Sequence, residues 1–290
     1  MSIIRVVSYN IHKGVSALGI HESVQTLRLG LHNLRADLVF LQEVQGRNDR
    51  AASLHAQHEM IGAALRLESA YGKNAVREFT DHGNALLSRY PILRSQNLDI
   101  SDHKLEQRGL LHTVVGIGDH EVHCFVVHLG LFAGSRDRQL EALVKRIDEI
   151  VPAHCPVLIA GDFNDWTNVL SQKLVERLGL YEVFASAPQR RGAELPSLSE
   201  SVRLLRQAIQ AGDFSVLRNV ENRHGVSPLL GMGAATAPRP PRTFPSFFPF
   251  LRLDRIYQRG FSVRKASVLH GKPWVRLSDH SPILCELELP

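Results

Sequence analysis

Polar side chains that bind cations or phosphate stand directly beside short apolar runs in this sequence. Asn10 follows the run at 3–9, Glu43 follows the run at 37–41, and His128 follows Phe-Val-Val at 125–127. Gly-Asp-Phe-Asn at 161–164 follows a fourth run, and Ser-Asp-His at 278–280 precedes the last one. Carboxylate and amide oxygens suit a hard cation such as Mg²⁺, whereas histidine and asparagine donate hydrogen bonds to phosphate oxygens. These residue types indicate phosphate chemistry assisted by a cation.

Most of these groups also have a purely structural interpretation. Asn10 is typical of a turn cap, Glu43 of a solvated loop, and His128 of a hydrogen-bonded core histidine. Gly-Asp-Phe-Asn is typical of an Asx-rich turn that opens a helix, and Asp254 of a surface partner of a neighbouring arginine. Ser-Asp-His is harder to explain by structure alone, because it places two titratable groups beside a buried run.

Strand and helix patterns alternate along both halves of the chain. The apolar positions Val24, Leu27, Leu31 and Leu34 recur at helical intervals, and so do those from Leu140 to Ile150, where charges fill the other side. This alternation predicts a mixed α/β protein with stacked sheets and outer helices. The apolar runs that predict strands lie at 3–9, 37–41, 85–88, 110–117, 122–129, 157–160, 253–257, 263–269 and 283–289.

Seven short strings, in order, resemble the endonuclease/exonuclease/phosphatase superfamily of DNase I-like phosphoesterases, in particular its bacterial members. The resemblance extends from residue 8 to residue 280 and implies a four-layer α/β sandwich, with two stacked mixed β-sheets flanked by helices. It also implies a site at one end of the two facing sheets. The strings are SYNI (8–11), LQEV (41–44), GNALLSRYP (83–91), VHL (127–129), GDFN (161–164), LDRIY (253–257) and SDH (278–280).

The resemblance implies a cation site and a hydrolytic reaction in which water attacks a phosphate ester. Glu43 is the expected main ligand of Mg²⁺, with Mn²⁺ as the expected substitute, and Asn10 and Asp279 are expected to complete or brace the shell. A cation, aimed hydrogen-bond donors and a fixed base are what a highly charged phosphoryl transition state requires.

The remaining roles are implied in the same way. Asp162 is expected to orient or deprotonate the water, Asn164 to hold it, and His280, oriented by Asp254, to stabilise charge on the phosphoryl group. His128 is expected to be a second donor to phosphate. Two further phosphate contacts are expected from Arg108 and Asn84.

Three departures disfavour particular subfamilies. His12 stands where abasic-site endonucleases carry an acid, and Val44 and Gln45 follow Glu43 without the lysine of the endonuclease string. The string at 253–256 also lacks the tryptophan–cysteine pair of the inositol 5-phosphatases.

Composition is that of an ordinary globular protein, with 44% hydrophobic and 22% charged residues. Three widely spaced cysteines predict free thiols in a reducing compartment rather than a disulfide framework. No apolar stretch reaches the roughly 18 residues that span a bilayer, and no signal-peptide pattern is present. We therefore expect a cytoplasmic protein, as a monomer.

We expect residues 1–290 to form one domain with a basic, Pro/Gly-rich insertion at about 186–249. The net charge is +5, and eight arginines against four acids lie between residues 186 and 246. A basic segment favours an anionic partner, namely nucleic acid, anionic phospholipid or a small phosphodiester, and peripheral membrane contact is compatible with it. The alternative function is a non-catalytic phosphate- or nucleic-acid-binding module on the same fold.

Overall fold

The structure is a computed structural model that describes residues 3–103, 106–166, 169–187 and 240–289. Met1–Ser186 and Pro240–Pro290 form one compact unit. The predicted insertion at 186–249 falls mostly on residues outside the described ranges, so its boundaries stay a prediction.

Twelve strands in the described part of the chain form two six-stranded sheets. The first sheet has the order β11-β12-β1-β2-β4-β3 and the second β5-β6-β7-β8-β10-β9. The strands are β1 (Ile3–Asn10), β2 (Leu38–Asn48), β3 (Glu68–Val76), β4 (Thr80–Ser88), β5 (Ile92–Asp99), β6 (Gly109–Ile117), β7 (His120–His128), β8 (Val157–Asp162), β9 (Tyr181–Glu182), β10 (Asp254–Arg259), β11 (Ser262–Val268) and β12 (Ile283–Glu288).

Helices cover the outer face of each sheet, because each carries one apolar stripe that must be buried. Leu27 and Leu31 of α1 pack with the first sheet, and Leu140, Leu143 and Val144 of α3 pack with the second. The helices are α1 (Val24–Leu34), α2 (Gln57–Leu65), α3 (Ala133–Ile150), α4 (Val169–Leu178) and the short α5 (Val183–Ser186). The two sheets also contact each other, so the layers run helix, sheet, sheet, helix, which confirms the predicted fold class.

Two parallel strand pairs bring polar strand ends together. β1 pairs with β2 in parallel, so Asn10 lies opposite Gln42. β7 pairs with β8 in parallel and β10 is antiparallel to β8, so His128 and Asp254 both lie opposite Asp162. β12 is antiparallel to β1, which places the residues before β12 at the same end. Main-chain pairing therefore gathers these predicted site residues at one end of each sheet.

Candidate active site

Backbone irregularities aim the key side chains of the site. In the pairing of β2 with β4, Leu41 lies opposite Ala85 and Val44 opposite Gly83, which leaves two residues of β2 against one of β4. This is a β-bulge, which reorients a side chain relative to the alternating pattern. Glu43 lies within it at a φ of 55°, a left-handed conformation that is uncommon for a residue with a side chain.

Further unusual backbone conformations cluster at the same place. His12, Lys13 and Asn164 have φ values of 47°, 57° and 49°. Backbone strain of this kind persists only where the surrounding structure imposes it, and it concentrates at functional sites. The backbone position of Gly161 also requires glycine, because a Cβ there would lie 1.9 Å from the carbonyl oxygen of Val127. Only glycine lets β8 pass β7 this closely just before Asp162.

Asp162 is the centre of the site, and its two oxygens have different surroundings. Oδ1 accepts a hydrogen bond of 3.0 Å from the backbone N–H of Asn164. Oδ2 lies 3.3 Å from Nδ2 of Asn10, 3.6 Å from Nε2 of His128 and 3.7 Å from Nε2 of His280. Burial raises the pKa of Asp162 to about 6, against the opposing effect of His280.

His280 and Asp254 form a buried hydrogen-bonded pair. Nδ1 of His280 lies 2.8 Å from Oδ2 of Asp254, and both residues are almost fully buried. Burial alone would lower the pKa of His280, but Asp254, together with Asp162 and Asp279, raises it to about 10. The imidazolium is thus the favoured form at neutral pH, and its Nε2–H faces Asp162. The alternative interpretation of Asp254, as a surface ion-pair partner of a neighbouring arginine, is therefore wrong.

Glu43, Asn10 and Asp279 occupy one side of the site. Nδ2 of Asn10 lies 3.5 Å from Oε1 of Glu43, and the backbone oxygen of Asn10 accepts a 2.7 Å hydrogen bond from Oγ of Ser278. Oδ1 of Asp279 lies 3.7 Å from Nδ1 of His12. Asn10 is therefore the residue that links the Glu43 side to the Asp162 side and to the Ser278–Asp279 loop.

Three side chains that the sequence pattern did not identify also belong to this site. Nζ of Lys13 lies 2.6 Å from Oε2 of Glu43. Burial works to raise the pKa of Glu43, but His128 and Lys13 outweigh it and hold that pKa well below its usual value. Burial, with a further contribution from Lys13, lowers the pKa of His82 to about 4. Glu106 holds Arg108 through a 2.9 Å bond.

The two predicted phosphate contacts differ in their surroundings. Burial lowers the pKa values of His128 and His82, and the nearby Arg108 contributes to both shifts. The buried Nε of Arg108 has no hydrogen-bond partner among the described residues. Asn84 instead donates to the backbone oxygens of Gly109 and Val126, at 2.9 and 3.1 Å. The structure thus leaves Arg108 with a free donor at the site and uses the amide hydrogens of Asn84 to join the two sheets.

The oxygen-rich donor set fits a divalent cation. The Glu43 carboxylate, the Asn10 amide oxygen and the Asp279 carboxylate are ligand types that Mg²⁺ and Mn²⁺ prefer. A second group, Asp162, Asp254 and His280, has potential ligand atoms within 4.8 Å of one another. A protonated histidine cannot ligate a metal, and the pKa of His280 is raised, which disfavours this second group as a cation site.

Comparison with known proteins decides the family. Residues 7–280 match the family model described as the Endonuclease/Exonuclease/phosphatase family. The chain belongs to this family. Its members are generally phosphoesterases that depend on a divalent metal. YbhP of Escherichia coli (strain K12) is 34% identical over 294 residues, which cover 98% of this chain and 96% of YbhP.

Solved structures of other proteins share the fold, one of them described as an endonuclease/exonuclease/phosphatase. One from Beutenbergia cavernae has a TM-score of 0.68 at 18% identity, covering 100% of this chain and 72% of that one. The human Nocturnin catalytic domain with bound sulfate has a TM-score of 0.64 at 19% identity, covering 99% and 94%. D. rerio TDP2 complexed with single-strand DNA product has a TM-score of 0.61 at 16% identity, covering 99% and 100%.

Two further sequence expectations concern cysteines and membranes. Cys124, Cys155 and Cys285 are free and buried. Among the described residues, no helix is both long and apolar enough to cross a bilayer.

Proposed function

We propose that this protein is a Mg²⁺-dependent phosphodiesterase that hydrolyses a phosphodiester with a water molecule positioned by Asp162. The observation that carries the proposal is the position of Oδ2 of Asp162, which is buried and surrounded by Asn10, His128 and His280. A carboxylate whose pKa is raised toward neutrality accepts a proton more readily than an ordinary aspartate.

The protein's own groups supply positioning and charge. The hydrogen bond from Asn164 fixes one oxygen of Asp162, which leaves the other to orient a water molecule. Asp254 holds His280 charged, so that its Nε2–H can donate to a phosphoryl oxygen as negative charge grows there. His128 and Arg108 are placed for further contacts with phosphate. A divalent cation held by Glu43, Asn10 and Asp279 would neutralise charge on the same phosphoryl group.

Exposed apolar side chains on the loops that carry the site support a substrate with more than a bare phosphate. Phe132 is 65% exposed, Trp166 53% and Phe247 66%. Phe132 lies in the loop after β7, Trp166 two residues after Asn164, and Phe247 beside Ser246, which donates to the backbone oxygens of Ser278 and Asp279. Such side chains can stack on bases or enter the surface of a membrane. Nucleic acid, anionic phospholipid and small phosphodiesters therefore remain the proposed substrates, and peripheral membrane contact, a monomeric state and a cytoplasmic location remain proposals.

An activity panel tests the function. The purified protein, stripped with EDTA and resupplied with Mg²⁺ or Mn²⁺, is assayed on DNA, RNA, phospholipid vesicles and an artificial aryl phosphodiester. We expect metal-dependent turnover of at least one diester and its loss in Glu43→Gln. Glu149→Gln, a change at an exposed position of α3, is the matched control and should keep full activity. Binding of these substrates without turnover under every metal condition would instead support the non-catalytic binding module.

A further inference from the structure

A cavity lined by both polar and apolar groups lies on the outer face of the second sheet, away from the candidate active site. It has a volume of about 380 Å³ and lies between β5, β6 and β7 and the C-terminal half of α3. His123 and His128 are both on β7, five residues apart, so the alternation of side chains along a strand places them on opposite faces of the sheet. The residues that matter for its chemistry are Arg94, His112, Val114, His123, Arg146 and Ile150.

Two neutral imidazoles form the floor of this cavity. His112 and His123 are 6% and 3% exposed, and Nε2 of His112 lies 3.1 Å from Nδ1 of His123. Their rings are stacked, and His112 also stacks on Phe125 at a centroid distance of 4.3 Å. Burial lowers the pKa of both residues, that of His112 to about 3. Each ring therefore has one N–H, and when His112 donates to His123, the N–H of His123 is on Nε2.

Two of the residues that line the cavity each carry a buried nitrogen atom without a hydrogen-bond partner. Neither Nε2 of His123 nor Nε of Arg146 has a hydrogen-bond partner among the described residues. Leaving a buried donor unpaired costs roughly 1–3 kcal/mol. In the tautomer with the hydrogen on Nε2 of His123, a ligand that accepts from both nitrogens would recover that cost. Two unpaired groups on residues that line the same cavity are difficult to explain as packing.

The cavity has a surplus of positive charge. Arg94 forms an ion pair with Glu121, whereas Arg146 bonds to the amide oxygen of Gln96 and forms no ion pair with a described carboxylate. Positive charge disfavours a metal ion and favours an anion. The volume of the cavity lies in the range of small-molecule sites, which begins at about 300 Å³. It also far exceeds the roughly 30 Å³ that one water molecule occupies.

We propose that this cavity binds a small oxyanion, a phosphate or a carboxylate, through Arg146 and Nε2–H of His123. Val114 and Ile150 offer an apolar wall to the rest of an organic ligand. The proposal does not depend on hydrolase activity, because no residue of the candidate active site takes part.

NMR of the histidine side chains tests the proposal, because it reports on this cavity even if phosphate also binds elsewhere. The full chain is labelled with ¹⁵N-histidine and titrated separately with inorganic phosphate, adenosine monophosphate and benzoate. We expect saturable shifts of the His112 and His123 resonances with at least one probe. Tighter binding of an organic probe indicates an organic anion, and equal binding indicates free phosphate as the ligand.

Two variants and a matched control make the test decisive. Arg146→Met should raise the Kd by about tenfold or more, since it removes a charge-assisted hydrogen bond. Lys145→Met removes the same charge from the preceding residue of α3, whose side chain is 75% exposed, and should leave the Kd unchanged. His123→Gln provides a second test if Arg146→Met does not fold. The proposal is wrong if no probe shifts these resonances, or if Arg146→Met and Lys145→Met weaken binding equally.

Discussion

The carboxylate of Asp162 combines two properties that usually exclude each other. It is fixed through Oδ1 by the backbone of Asn164, and its Oδ2 stays available at the meeting point of three polar side chains. Burial raises its pKa to about 6, while His280, which lies nearby and is held charged by Asp254, opposes that rise. In the proposed mechanism, these properties suit Asp162 to act as a base that can accept a proton and is still ionised at neutral pH.

Asp162→Asn should abolish most of the activity while preserving the fold. The amide keeps the size of the side chain and an acceptor for the N–H of Asn164, but it cannot take a proton. General acid–base groups contribute on the order of 10²–10⁴-fold, so we expect a fall in kcat of at least that size. Asp119→Asn, in the exposed turn between β6 and β7, is the control. Near-normal turnover by the folded Asp162→Asn protein would assign the base elsewhere.

Asp254→Asn tests the positioning of His280 through the pH profile. Without the Asp254 carboxylate, the pKa of His280 falls from its raised value of about 10, so the imidazolium is lost at a lower pH. The alkaline limb of kcat against pH should therefore move to lower pH, and kcat at neutral pH should fall. A uniform loss of activity with an unchanged profile would indicate a merely structural role for Asp254.

The sequence identified site residues where a reactive side chain adjoins an apolar run, and it could not identify those that depend on tertiary contact. Asp162, Asp254 and His280 follow from strand patterns and the resemblance, and the structure brings them together. Lys13 reaches Glu43 only because a left-handed turn at 12–13 and a bulge in β2 direct the two side chains toward each other. No local sequence pattern predicts this contact between Lys13 and Glu43.

At the scale of elements, the strands that sequence patterns missed are edge strands. β3 and β5 each form one edge of a sheet, and almost every residue of β5 is exposed or only partly buried. An edge strand has a neighbour on one side only, and natural edges carry polar residues that discourage further pairing. The apolar signal that predicts a buried strand is therefore absent. α2 was missed for a similar reason, because Ile61 is its one large apolar residue that is fully buried.

Glu182, the last residue of β9, should make stability depend on pH. Burial raises its pKa from 4.5 to about 7, even though the backbone N–H groups of Phe184 and Ala185 bond to it. Between these values the folded protein binds more protons than the unfolded chain, so this residue's contribution to stability is lost as pH rises. Glu182→Gln lacks this dependence. The difference in free energy of unfolding between Glu182→Gln and wild type should therefore shift in favour of the variant, by on the order of 3 kcal/mol between pH 4 and pH 8.

Urea denaturation at several pH values measures this difference. Glu59→Gln, whose parent side chain is 71% exposed on α2, serves as the control and should change stability little at any pH. A Glu182→Gln curve that runs parallel to wild type across the whole window would show that Glu182 does not titrate there.

At the scale of the molecule, each sheet contributes one part of the site. The first sheet supplies Asn10 and Glu43, the second supplies His128, Asp162 and Asp254, and Asp279 and His280 precede β12. All of these residues belong to the unit formed by Met1–Ser186 and Pro240–Pro290. The chemistry therefore depends on how the two sheets face each other, and residues 188–239 contribute none of the predicted catalytic or metal-binding groups.

Replacement of residues 190–238 by a short Gly/Ser linker tests what this segment does. It removes six of the eight arginines between residues 186 and 246, and the chain resumes just before the loop that carries Thr243 and Phe247. The cost of closing a loop changes slowly with its length, so the remaining unit should fold. Loops beside an active site commonly select the substrate, whereas the cation ligands and the base are untouched. Hydrolysis of a small aryl phosphodiester should therefore be largely kept.

The natural substrate should respond differently to the same replacement. Activity on an anionic polymer or lipid should fall, and its dependence on salt should flatten, because each lost arginine contact removes a salt-sensitive interaction. Two quantities are compared between wild type and variant: the ratio of the activities on the two substrates, and the slope of activity against salt concentration. A matched variant with the same linker length but with the six arginines restored within it should recover the salt slope if charge is the cause. A parallel loss of both activities in a folded protein would place the segment in the catalytic machinery instead of in substrate selection.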